Sequence, residues 1–149
     1  MKWMNHVLLT GTLVYGFTGG KVFFTLAAVA GSLFPDRIEG SAPEEDGKLK
    51  KWRGLHRKAS HWFLPYAAVA VIVLAYRAGH DTCRHVLPLI GWFALGSLFH
   101  IGEDAVCGHV PSLNPAKQIG TRFFSVGSVR EYLFSLSLAA LLVLGMVFL

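Results

Sequence analysis

Apolar residues in this chain come in long blocks separated by short polar intervals, the pattern of helices surrounded by lipid or by one another. The first block runs from Val7 to Phe34 and is interrupted by Gly16 and by Thr18-Gly19-Gly20-Lys21. As one helix its 28 residues would span about 42 Å, more than the ~30 Å hydrocarbon core of a bilayer. It would also leave His6 and Asp36 at opposite ends. The glycine pair followed by a lysine predicts instead a tight helical hairpin, with Lys21 at a turn near the far interface rather than in mid-bilayer.

Gly31-Ser32-Leu33-Phe34-Pro35-Asp36 closes the block, with Pro35 expected to stop the helix and Asp36 set where the apolar run ends. Arg37 to Trp52 reads as an extramembrane loop without periodicity. Trp62 to Tyr76 is a short spanning segment, and Ala78 to His85 is a polar turn in which His80 and His85 read as solvated. Val86 to Ile101 crosses back, carrying Gly91, Ala94, Gly96 and Ser97, small residues suited to close helix contact. Glu103 to Arg130 is a second extramembrane segment. Tyr132 to Leu149 is an 18-residue apolar run without a charge, the clearest membrane helix. The expected architecture is all-α, a polytopic integral membrane helical bundle forming one domain over residues 1–149. It comprises a hairpin over 7–34, a loop over 35–61 and three further transmembrane helices, about 62–77, 86–104 and 131–149.

Composition agrees with a membrane protein: 53% of residues are hydrophobic, 15% are charged and the mean hydropathy is +0.47. One lysine precedes the first block and no small-x-small cleavage signature follows it, so the first segment is read as mature structure. The hairpin topology puts Met1 to His6, Asp36 to His61 and Ile101 to Arg130 on one side. That side carries eleven of the 14 lysines and arginines, which predicts that it faces the cytoplasm of an inner, cytoplasmic-type membrane. Cys83 and Cys107 fall on opposite sides, which argues against a disulfide. The basic cluster from Lys48 to Lys58 reads as a topology determinant beside anionic headgroups, with a phosphate-bearing substrate as the alternative. Trp52 is the single aromatic residue within that cluster, which does not make the aromatic-interleaved basic motif of nucleic acid binding, so no nucleic acid is expected.

Candidate chemistry sits at the block edges. His100 and Asp104 are spaced i and i+4, one turn apart on one helix face, and an imidazole beside a carboxylate is a common start to a zinc-type site. His56 and His61, five apart, diverge by about 140° on an ideal helix and converge only if the helix begins between them. The same topology, drawn without reference to ligands, brings His6, Asp36, His56, His61, His100 and Asp104 to one membrane boundary. Six groups of ligating chemistry there predict a divalent metal, zinc in one or two ions.

His6 at the head of the first helix, Gly31-Ser32-Leu33-Phe34-Pro35-Asp36, His56-Arg57-Lys58-Ala59-Ser60-His61 and Phe99-His100-Ile101-Gly102-Glu103-Asp104 together resemble the YdjM-like family. These are inner-membrane-associated metal-dependent hydrolases distantly related to zinc-dependent phospholipases C and single-strand nucleases. The resemblance covers roughly Asn5 to Pro115. It implies His6, Asp36, His61, His100 and Asp104 as metal ligands and His56 with Arg57 as the family's His-Arg signature, with Ser60 where threonine is usual. Ile38 stands where the family has a second aspartate and Cys107 where it has a threonine; Glu39, Glu103 and His109 are the residues placed to compensate.

The function expected is hydrolysis of a phosphoester, lipid-borne or free, by metal-activated water at the membrane interface. Two ions about 3.5–4 Å apart would be bridged by Asp36 and Asp104, with His6, His61 and His100 as terminal ligands. Arg57, His56 and Glu103 are the catalytic candidates, Arg57 by offsetting charge on a phosphate oxygen, with Lys58 a weaker second. Membrane lipid is the expected partner. The rival is a non-catalytic membrane protein stapled or regulated by the same metal cluster. An intramembrane metalloprotease is disfavoured by the absence of His-Glu-x-x-His.

Overall fold

The computed structural model describes residues 1–40, 42–55, 57–77 and 86–148. His56, His80, Cys83 and His85 lie outside them. The chain is mostly helical, in the order α1 (Trp3–Phe17), α2 (Val22–Glu39), α3 (Asp46–Leu55), α4 (Phe63–Arg77), α5 (Val86–Cys107) and α6 (Val129–Phe148). A two-stranded antiparallel ribbon, β1 (Val110–Pro111) with β2 (Gln118–Ile119), lies between α5 and α6.

The turn between α1 and α2 forms at Thr18 to Lys21. Gly19 and Gly20 take left-handed φ values of 63° and 82°, which cost an L side chain but not glycine. Thr18 Oγ1 donates to Val14 O over 2.7 Å and Gly20 N–H to Tyr15 O over 2.8 Å, so the last carbonyls of α1 are satisfied locally. The hairpin thereby returns Asp36 to the end of the bundle where α1 begins.

The main packing is between α2 and α5. It depends on two glycines: a Cβ at Gly31 would stand 1.9 Å from Phe93 O, and one at Gly96 1.9 Å from Ala28 O. The backbones therefore touch at a small-residue crossing. The same contact explains why α2 does not end at Pro35. Pro35 is expected to stop it, but the helix runs on to Glu39. Proline cannot donate to the carbonyl four residues back, and that carbonyl, Gly31 O, instead accepts a 2.9 Å hydrogen bond from Ser97 Oγ of α5. Ser97→Ala is accordingly expected to cost about 1–3 kcal/mol, because it leaves a buried acceptor unpaired; denaturation of purified protein in detergent measures it.

Residues expected as an unpatterned loop hold α3. Its start carries Asp46, which suits the positive end of a helix, and an exposed 2.7 Å pair between Glu45 and Lys48. After α5 the loop folds back: Thr121 N–H donates to Ala105 O and Phe123 N–H to Val106 O, occupying carbonyls of the last turn.

Among the described residues, two helices, α5 with 22 residues and α6 with 20, are long and apolar enough to cross a membrane. The expectation of a polytopic bundle with four or more spans narrows to these two on length and composition. At 15 residues each, α1 and α4 are about 22 Å long, short of the ~30 Å hydrocarbon thickness. Much of the α6 surface, including Leu133, Leu136, Leu141 and Val147, is exposed apolar side chain.

Candidate metal centre

Asp36, in the last turn of α2, His61, just before α4, and His100 with Asp104 on α5 come together with one ligand atom from each within 4.8 Å of all the others. His61 Nε2 lies 3.1 Å from His100 Nε2, 3.4 Å from Asp36 Oδ1 and 3.3 Å from Asp104 Oδ2. His100 Nε2 lies 3.6 Å from Asp36 Oδ1 and 3.7 Å from Asp104 Oδ2. Ligands bound tetrahedrally at about 2.0–2.1 Å stand about 3.3 Å apart. The spacing thus suits one small divalent cation, which these four residues could hold. Three of the four side chains are fully buried, while Asp36 is 40% exposed and forms the open side.

His61 is presented by a second carboxylate. Glu39 Oε1 accepts from Arg57 N–H over 2.9 Å, from Ser60 Oγ, and from His61 Nδ1 over 3.2 Å. With Nδ1 held between Ser60 Oγ at 2.8 Å and Glu39 Oε1, Nε2 faces the cluster, the arrangement that orients metal-binding histidines. Arg57 has a left-handed φ of 58°, a strained conformation that these bonds hold in place. Glu39→Gln is expected to weaken metal affinity about 10–100-fold while leaving all four ligands present, as titration with a competing chelator would read.

Burial opposes a charged His61, but Asp104, Asp36 and Glu39 outweigh it and push the imidazole from 6.5 up to about 10. A group with a raised folded pKa stabilises fully below its unfolded value and loses that contribution as pH rises through the folded one. Metal-stripped protein should therefore denature more easily as pH climbs from 6.5 to 10, and His61→Gln should flatten that slope in denaturant melts.

His6 adjoins this group without joining it. Its Nδ1 donates to Glu103 Oε2 over 2.5 Å, which turns Nε2 toward Asp104 Oδ1 at 3.5 Å. That Nε2 is buried with no hydrogen-bond partner, and the His6 ring lies 4.0 Å from the His100 ring. The two oxygens of Asp104 thus face different neighbours. Oδ1 meets His6 and the α-amino group of Met1; Oδ2 meets His61, His100 and the Arg57 guanidinium at 3.0 Å.

Two other expected residues, His109 and Cys107, sit apart. His56 lies outside the described residues. His109 accepts from Arg122 Nε over 3.1 Å, away from the cluster. Cys107 is buried with Sγ against Glu103 O.

One buried acid that positions α1 carries no role in the sequence reading. Glu131 is fully buried, with Oε1 accepting from Lys2 N–H and Asn5 Nδ2, both over 2.6 Å, and Oε2 from Gly127 N–H over 2.5 Å. It fastens the residues preceding His6 to α6. Ser128-Val129-Arg130-Glu131 has the form of a helix-start capping box, and Ser128 Oγ does accept from Glu131 N–H over 3.3 Å. That pattern is the available signal, but the glutamate spends its side chain on α1. No known family model, curated protein or solved structure matches the chain.

Proposed function

We propose that this protein is a membrane-embedded, metal-dependent hydrolase acting on a phosphoester at the membrane interface, akin to the YdjM-like family it resembles. The observation that carries the reading is the set of four ligand atoms at cation spacing, with Asp36 exposed on one side. A divalent ion such as zinc would there lower the pKa of a water toward neutrality and polarise a phosphoryl oxygen.

The chain's own residues fill the other roles. Glu39 holds His61, and Glu103 holds His6 with Nε2 toward Asp104. Asp104 turns one oxygen to each histidine neighbourhood, so a second ion, were one bound, would be held by Asp104 and His6. In the overall reaction a water oxygen bonds to phosphorus, the ester P–O bond breaks, and the water's proton ends on the leaving alcohol. Arg57 is engaged by Asp104, so its charge steadies that carboxylate before it reaches any phosphate. In the membrane, the α1–α2 hairpin and α4 join α5 and α6, with the metal centre on the cytoplasmic side by the weight of basic residues.

A structural metal is the second reading, favoured by the fact that four ligands alone close a tetrahedral shell. Metal content of purified protein, measured with hydrolysis of bis(p-nitrophenyl) phosphate and of phospholipids, separates the two. Turnover lost in His100→Ala supports the hydrolase; bound metal without turnover on any phosphoester leaves the structural role.

A further inference from the structure

Asp36 belongs to two environments. Its carboxylate meets the imidazoles of His61 and His100, and it also lines a cavity of about 340 Å³ with Trp3, Leu33, Arg37 and Gly40. This cavity opens between the start of α1 and the end of α2. Its chemistry is divided. Trp3, 61% exposed, and Leu33 give an apolar wall. Arg37 is exposed and makes no ion pair among the described residues. Arg57, by contrast, is held at 3.0 Å by Asp104 and is mostly buried. Gly40, with φ of 74°, turns the chain away after α2, and a side chain there would meet nothing within 4 Å, so the mouth stays open.

An indole at a helix end, an aliphatic wall and an unpaired guanidinium suit an amphiphile lying at a membrane interface. The guanidinium fork matches a phosphate, and the apolar wall matches the first carbons of an acyl chain. We propose that this cavity is the binding site for a lipid with a phosphate headgroup, with Arg37 gripping the phosphate and Trp3 the chain. It is reached laterally from the bilayer surface and delivers the phosphate to Asp36. The proposal rests on the hydrolase reading for the chemical step after binding, but binding itself can be measured apart from turnover.

The test is calorimetric titration of the detergent-solubilised full chain with dioctanoyl phosphatidic acid, inorganic phosphate and dioctanoylglycerol, with metal content measured in parallel. Phosphatidic acid should bind, Arg37→Ala should weaken it about tenfold or more, and Trp3→Ala should weaken it by a smaller factor. Arg37→Lys should recover part of the loss, and metal content should stay at the parent level in all three variants. Inorganic phosphate binding as tightly as the lipid would overturn the lipid assignment, and so would diacylglycerol binding as tightly. Unchanged affinity in Arg37→Ala, or loss of metal with it, would overturn the role given to Arg37. Binding and turnover of the parent protein, measured side by side, separate the two readings: lipid binding without turnover of any phosphoester would remove the hydrolase and leave the lipid site standing.

Discussion

Asp104→Ala protein is expected to retain no stoichiometric divalent metal and to lose about 3–5 kcal/mol of stability even before metal is considered. Both effects follow from the position of one carboxylate. Oδ2 is a member of the four-atom cluster, and without it the nearest oxygen is that of the more exposed Asp36. The same group is the counter-charge for Arg57 and for the Met1 α-amino group, and it is fully buried. Removing one partner of a buried pair leaves the other desolvated without compensation, which costs more than the pair contributed. His100→Ala is the control, since it deletes a ligand nitrogen but leaves Asp104 among its cations. It should lose metal with a smaller fall in stability. Elemental analysis and denaturant melts read the two quantities, and parent-level metal in Asp104→Ala would refute the four-residue centre.

The second large effect is expected at the α2–α5 crossing. Gly96→Val places a Cβ 1.9 Å from Ala28 O and 2.7 Å from Ala28 C, and both are backbone atoms that no rotamer change can move. Contacts of this kind settle at about 3.5 Å, so the helices must separate. Overpacking ordinarily costs about 1–3 kcal/mol; a backbone clash at the principal helix interface should reach the top of that range or exceed it. The separation would also carry Asp36 away from His100 and Asp104, so metal occupancy should fall although no ligand is altered. Gly31→Ala should act alike, through Phe93 O at 1.9 Å. Gly145→Ala, where a Cβ meets nothing within 4 Å, should stay within about 0.5 kcal/mol of the parent.

The pairing of His100 with Asp104 is legible in the sequence because it is local: residues i and i+4 on a helix share a face whatever surrounds them. Asp36 is legible as a carboxylate ending an apolar block, and the Gly19-Gly20 turn as a place where the chain can reverse. Sequence misleads at Pro35, since its remedy, Ser97 Oγ, lies 66 residues from the carbonyl it serves and belongs to another helix. It is silent on Glu131, whose partners Lys2 and Asn5 sit at the opposite end of the chain.

By itself the sequence determined that this chain is built on apolar helical blocks with the candidate ligating groups at their edges, because block length and local spacing follow from the order of residues. Tertiary structure decided which of those groups meet. It put His61 rather than His6 into the four-residue cluster, gave Glu39 the task of aiming His61, and divided the two oxygens of Asp104 between different neighbours. Distances across helices depend on how closely the backbones pack, and in this protein that was decided by the absence of a side chain at Gly31 and Gly96.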